Sequence, residues 1–396
     1  MKKTVSILLI SIFILSACQQ APSEVRERAS GYGTNDNISE VEMEYISPSD
    51  LSGEIDEVLK TKTENLVLPA SNKYNIKNVY SGTIKMKKGE TNKSDLYAEM
   101  FGVRDCKWVD CSIDNQNGNS DYMSESNNEY INVEGNGFCA YYDSIANQED
   151  VTDEYDCITN PDSFVGKDEV ITIGGQQARM SELLNFVQNQ LDDKYRKLES
   201  DFEHKVYRIC EKKLPNKSSM LTFMIERTIE GMPLNNLDRD YCEDDEGNQR
   251  MNTTFALMEV DMYKTNKISM FTNMTGGFEI NHLQRIDRII SPQTAVRLVE
   301  KELSGYKKVE IREIRPMYDM KIVYEDKEKN KKSEDRPLKT HKEGRKIELI
   351  PVYCFMIPKK QKENDKMEGN ENGYIKVNMI SGDIMTKLEG IRYFGE

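Results

Sequence analysis

Twice in this chain an amphipathic helical pattern is followed by a run of strand patterns, and that order restricts the fold more than any other feature. The first pattern begins at Ser181: Leu184, Val187, Leu191, Tyr195, Leu198, Phe202, Val206 and Ile209 step by three and four, with Asp, Lys, Glu and Gln on the other faces. The spacing predicts one helix over 180–214, ended by Pro215, packed on a sheet through Leu184, Val187, Leu191, Leu198, Phe202 and Ile209. Strand patterns follow at 220–229, 253–263, 267–272 and 278–287, divided by polar or Gly-containing turns. The second pattern opens at Ser291-Pro292, an N-cap followed by proline at the first helical position. Ala295, Val296, Val299 and Leu303 form its apolar face, and Gly305 stops it. Strands are expected after it at 309–324, 347–357, 374–379 and 384–388, the last two joined by the turn Ser381-Gly382-Asp383. Single helices that each precede several strands make the chain α+β, each helix lying across an antiparallel sheet.

Two helix-plus-antiparallel-sheet units are therefore expected, at 176–289 and 290–396. Before them lies an N-terminal region, 48–175. Its residues 48–60 read as a short helix with Leu51, Ile55, Val58 and Leu59 on one side, and 74–87 reads as extended. Net charge is −14, and nearly all of it sits in one stretch. Between Arg104 and Glu169 sixteen Asp and Glu stand against Arg104, Lys107 and Lys167. This acidic segment is rich in Asn, Ser and Gly, with short apolar islands at Trp108-Val109, 130–133 and 138–142. It predicts irregular structure with a few short strands. The calcium-loop spacing is absent around Asp114–Asp121 and Cys242–Gly247, so the segment reads as a solvated acidic surface. No basic face for nucleic acid exists.

The N-terminus specifies an address. Lys2 and Lys3 precede an apolar run over 5–15, about half of the roughly 20 residues that cross a bilayer, so residues 1–17 read as a signal peptide. Leu15-Ser16-Ala17-Cys18 resembles the lipobox of bacterial lipoproteins. The resemblance implies cleavage before Cys18, diacylglycerol on its thiol, and a chain lipid-anchored at the outer face of the cytoplasmic membrane. Residues 18–47, polar and rich in weak structure formers, read as a flexible stalk. Of the seven other cysteines, Cys106, Cys111, Cys139 and Cys157 fall in the acidic segment. Cysteines in exported proteins often pair, which makes these four disulfide candidates. Reduced structural thiols and a metal remain alternatives, although Cys106-x4-Cys111 has no second close pair to complete a zinc signature.

Catalytic patterns are missing. His204, His282 and His341 form no HExxH or HxxEH set, and neither a GxSxG elbow nor the full SxxK, SDN and KTG set occurs. Gly174-Gly175 lacks the phosphate-loop lysine and reads as a turn. A Cys139–His dyad needs proximity only in space, and Trp108 with the tyrosines suits packing as well as sugar stacking. No catalytic residue, metal site or cofactor is expected. The C-terminal half resembles a known kind of module. Ser291-Pro292-x-x-Ala295, Leu349-Ile350-Pro351-Val352-Tyr353-Cys354-Phe355 and Tyr374-x-Lys376-Val377-Asn378-x-x-Ser381-Gly382-Asp383-Ile384 resemble PepSY-like modules and YycH/YycI-type extracytoplasmic regulators. Arg227-x-x-x-Gly231-Met232-Pro233-Leu234 is similar to the strand and turn that end the first hairpin of such modules. The layout also resembles an uncharacterised lipoprotein family of Gram-positive bacteria. These resemblances imply PepSY/cystatin-like packing and a non-enzymatic binding or regulatory module. Its expected partners are the membrane, through the lipid, and an extracytoplasmic protein or peptide. The alternative is a surface hydrolase or carbohydrate-processing protein, which needs two carboxylates about 5–10 Å apart in a cleft.

Overall fold

The computed structural model describes residues 41–70, 74–86, 99, 101, 108–110, 122–126, 129–133, 139–143, 155–158, 169–213, 219–235, 241–243, 249–251, 258–273, 277–304, 308–322, 346–357 and 373–387. Three helices cross them: α1 (Leu51–Val58), α2 (Met180–Gln190) and α3 (Pro292–Glu302). In chain order the strands of the two large sheets begin with β1 (Tyr80–Met86), β2 (Trp108–Asp110), β3 (Tyr122–Ser126), β4 (Glu129–Val133), β5 (Cys139–Asp143) and β6 (Tyr155–Ile158). Next come β7 (Val170–Ile173), β8 (Gln176–Arg179), β9 (Glu203–Lys213), β10 (Ser219–Ile229), β11 (Met232–Pro233) and β12 (Met258–Met262). The last are β13 (Met270–Asn273), β14 (Phe278–Arg285), β15 (Glu313–Ile322), β16 (Lys346–Ile357), β17 (Gly373–Asn378) and β18 (Ile384–Lys387).

The chain is α+β with mostly antiparallel sheets. Among the described residues one sheet has twelve strands, running β6-β9-β10-β12-β13-β5-β4-β3-β2, with β7 and β11 attached to β10 and β8 paired to β7. The other has six, ordered β14-β1-β16-β17-β18, with β15 along the far side of β16. The contact of β7 with β10, Ser219 opposite Ile173, is parallel.

Each sheet carries its helices as the apolar pattern demands. Leu183, Val187 and Leu191 of the first helical segment pack on Val206, Ile209, Phe223, Val260 and Phe271, so Leu183 takes the core position expected of Leu184, which is only partly buried beside them. On the six-stranded sheet, Leu51, Ile55 and Val58 of α1 and Ala295, Val296 and Val299 of α3 meet Ile84, Leu349, Phe355 and Val377. Full burial of such aliphatic side chains is worth about 1.5–3 kcal/mol each. Helix α3 starts as its sequence directs: the Ser291 hydroxyl accepts from Thr294 N at 3.0 Å and Pro292 occupies the first turn. No helix among the described residues is long and apolar enough to cross a membrane.

The expected helix over 180–214 is a helix followed by a strand. Helix α2 continues through a π turn, Leu191–Tyr195, and ends at Leu198; Glu199 turns away at φ −136 and ψ 73. The remainder is β9. The helix-like spacing of this strand has a physical source. The register of β9 against β10 shifts between Val206 and Arg208. That bulge sets buried Val206 and Ile209 three positions apart on the strand, which copies helical spacing.

The chain boundaries expected at 175/176 and 289/290 also differ from the sheets. Strands β2 to β6, from the acidic segment, extend the twelve-stranded sheet, so that segment contributes regular strands. Strand β1 from the N-terminal region and β14 from the expected first unit both lie in the six-stranded sheet, where β1 pairs with β14 and β16. Helix α1 packs in the same core as α3. Local patterning specifies a strand and its buried face, whereas its neighbour is chosen by long-range pairing that leaves no local mark.

Candidate functional site

The chemistry-bearing side chains converge where the two sheets meet, and strand β10 delivers them. Glu226 and Arg227 are consecutive, so the pleat sends them to opposite faces. Arg227 is fully buried, and its Nε donates to Glu199 Oε2 at 2.7 Å. His204 stands opposite Arg227 in the register and bonds the same oxygen through Nε2 at 2.7 Å. Phe278 N, at the start of β14, donates to Glu199 Oε1 at 2.6 Å. An ionised carboxylate only accepts, so His204 carries hydrogen on Nε2. The Arg227 guanidinium lies over the Phe278 ring at 5.1 Å, and the Tyr195 and His204 rings meet edge-on with centroids 4.8 Å apart. Asp201 Oδ2 accepts from Ile280 N at 2.9 Å, so two carboxylates cap the outer edge of β14. Burial alone would push the Glu199 carboxyl up. The Arg227 charge, the His204 bond and charge, and Phe278 N–H outweigh it and hold the carboxyl below its ordinary range.

On the other face of β10, Glu226 pairs with Arg315 of β15, which lies over the Tyr207 ring at 5.1 Å. Tyr74 Oη bonds Glu313 beside it. Here burial exceeds the pull of Arg315 and leaves the Glu226 carboxyl raised. A third group sits further along β15. Asp319 Oδ1 accepts from Asn235 Nδ2 at 2.8 Å and from Lys376 Nζ at 2.9 Å, and Lys376 lies over the Tyr374 ring at 4.4 Å.

The hairpin after β10 threads these groups together. Ile229 faces Met232 across the two-residue loop Glu230-Gly231, whose φ values of 49 and 85 are those of a type I′ turn. A Cβ on Gly231 would lie 2.2 Å from Asn75 O, so the turn is also a close approach between backbones. Glu230 accepts from Tyr80 Oη at 2.8 Å and from Asn78 Nδ2. Beyond the turn, Asn235 N donates to Tyr318 O at 2.8 Å, and Tyr318 Oη accepts from Tyr80 N at 3.1 Å. The result is a polar seam inside an apolar junction. Glu199 is occupied by three donors, which suits it to fixing geometry and leaves it poorly placed to accept a proton from a reactant.

The sequence-predicted residues distribute differently. Cys18, Cys106 and Cys111 lie outside the described residues, as do His341 and Asp114–Asp121. Cys139 opens β5 opposite Val133 and Asn273, and Cys157 lies in β6 opposite Cys210. His282 is exposed on β14, and His204 is in a strand where a helix was expected. Among the described residues no group of three or more His, Cys, Asp or Glu could hold a metal ion. Sequence reasoning missed Glu199, Glu226 and Asp319. A signal existed: Glu226-Arg227 interrupts the apolar run from Leu221 to Ile229, and Lys376 interrupts Tyr374–Val377. Arg227 and Lys376, which lie in the motifs that resemble PepSY-like modules, are buried framework residues of the junction.

No family model matches the chain, and no curated protein matches it. Among solved structures it is similar to an uncharacterized protein from Eubacterium rectale, with a TM-score of 0.52 and 13% identity, covering 85% of this chain and 97% of that one. It is also similar to the C-terminal domain of Bacillus megaterium YpeB, with a TM-score of 0.33 and 11% identity, covering 76% of this chain and 98% of that one. The first likeness is one of fold; the second is too distant to carry an argument.

Proposed function

We propose that the protein is a lipid-anchored extracytoplasmic binding or regulatory module without catalytic activity. The observation that carries this reading is the basic start and apolar run ending at Leu15-Ser16-Ala17-Cys18. One acyl chain holds a protein only marginally on a bilayer, and the two chains of a diacylglycerol hold it stably. The resemblance of the C-terminal half to PepSY-like regulatory modules supports the binding role. So does the inward use of the ionisable groups at the junction, where Glu199, Glu226, Arg227 and Arg315 are spent on one another. The partner is an extracytoplasmic protein or peptide.

Labelled palmitate fed to cells tests the anchor. Label should enter the wild-type chain, and Cys18→Ala should abolish it and leave unprocessed or released protein. Wild-type protein that takes up no label and fractionates with the soluble pool refutes the anchor. A hydrolase screen on the purified chain tests the rest. Reproducible turnover that disappears on changing one carboxylate or cysteine would replace the binding reading with an enzymatic one.

A further inference from the structure

Two cysteines far apart in sequence face each other across the edge of the twelve-stranded sheet. Strand β6 joins that sheet through four residue pairs with β9, and one of them is Cys157 opposite Cys210. The other described cysteines have no such neighbour: Cys139 faces Val133 and Asn273, Cys242 faces Arg250, and Cys354 faces Arg315 and Lys376. Cys210 takes part in no disulfide in this structure; from the register we infer that, on oxidation, Cys157 and Cys210 form a cross-strand disulfide that fastens β6, and with it the acidic segment, to β9.

The backbone decides whether such a bond can close. Leu234 N donates to Arg227 O, so the polar backbone groups of Arg227 point to the β11 side of β10. Strand backbone groups alternate sides residue by residue, and β10 runs without interruption against β12. Thr222, an odd number of positions away, therefore turns its N–H and C=O toward β9. Its register partner there is Cys210. Thr222 and Cys210 make the hydrogen-bonded type of pair, and the backbone groups of Cys210 turn away from β6. Cys157–Cys210 is then the non-hydrogen-bonded type, in which Cα atoms approach to about 4.5 Å and side chains are nearest. A disulfide needs Cα atoms about 4.4–6.8 Å apart. Directly opposed residues share a face of the sheet, and Cys210 is on a buried one.

The chemistry is thiol–disulfide exchange with an oxidised low-molecular-weight disulfide. One cysteine thiolate attacks it, forming a mixed disulfide and releasing one thiol; the second cysteine displaces the other thiol. Two protein thiols become one S–S bond, and the donor disulfide becomes two thiols. The bond joins an edge strand to the strand it covers. Its reduction leaves β6 held by a short ladder alone and makes the β9 edge easier to open to another strand. The oxidising setting rests on the exported location proposed above, whereas the pairing rests on the register.

The test is disulfide mapping on the purified full chain, equilibrated with mixtures of reduced and oxidised glutathione, alkylated and digested. Under oxidising mixtures Cys157 and Cys210 should appear in one linked peptide and lose alkylation together; reduction should separate them. Cys157→Ser, at the edge strand, should remove that peptide while the chain stays folded by circular dichroism. Both thiols alkylated at every mixture, or Cys157 linked instead to Cys106, Cys111 or Cys139, overturns the inference. Mapping in the test tube does not depend on export, so a linked peptide together with an unlabelled Cys18 would uphold the disulfide and refute the anchor.

Discussion

Removing the Arg227 guanidinium while keeping its apolar stem, as in Arg227→Met, should destabilise the protein by about 3–5 kcal/mol at neutral pH. Arg227 is fully buried, and its Nε lies 2.7 Å from Glu199 Oε2. Charge centres about 4 Å apart attract by about 4 kcal/mol at an effective dielectric near 20. Methionine preserves packing against Phe278, so the loss is mostly electrostatic. His204 and Phe278 N–H still bond Glu199, which places the expected loss toward the lower limit. Even that is a large share of a typical folding stability of about 5–15 kcal/mol. The pH dependence identifies the mechanism. In the native protein the Glu199 carboxyl is held below its unfolded value, about 4.3. Its contribution is therefore complete above that value and is lost as pH falls through the native one. In the variant burial acts without the guanidinium to oppose it, the carboxyl rises, and ionised Glu199 becomes a cost that acid relieves. Urea unfolding at pH 7 and near pH 4 should show the gap between wild type and variant shrinking in acid. Adding Glu199→Gln to Arg227→Met should cost less than the two single changes summed. A gap below about 1 kcal/mol at pH 7, or one unchanged by pH, would refute the electrostatic account of the seam.

Two further substitutions probe how the elements are specified. Ser291→Ala removes the hydroxyl that accepts from Thr294 N and should cost about 1 kcal/mol in thermal or urea unfolding; no change would mean that Pro292 alone sets the start of α3. Gly231→Ala places a Cβ in a left-handed turn 2.2 Å from Asn75 O and should cost about 2 kcal/mol or more, with loss of amide protection near Asn75 and Glu230; wild-type stability would contradict the turn.

Much of the fold is written in local pattern. Ser291-Pro292 sets α3, apolar runs set β10, β16 and β17, and Gly382 at φ 79 takes the left-handed position in the turn before β18. These features depend on residues a few positions apart, so the sequence alone determines them, together with the α+β class. Charge and burial are another matter. Glu199, Glu226 and Asp319 have the composition of solvated residues, and only the facing arrival of Arg227, Arg315 and Lys376 permits their burial. The bulge at Val206–Arg208 gave a strand the spacing of a helix because β10 fixes that register from outside. Tertiary structure likewise put β1 beside β14 and Cys157 opposite Cys210. A residue's own preferences fix its strand and its face. The residue that meets it across the ladder is selected by packing over the whole chain, and for this protein that selection decided where its charges and two of its cysteines meet.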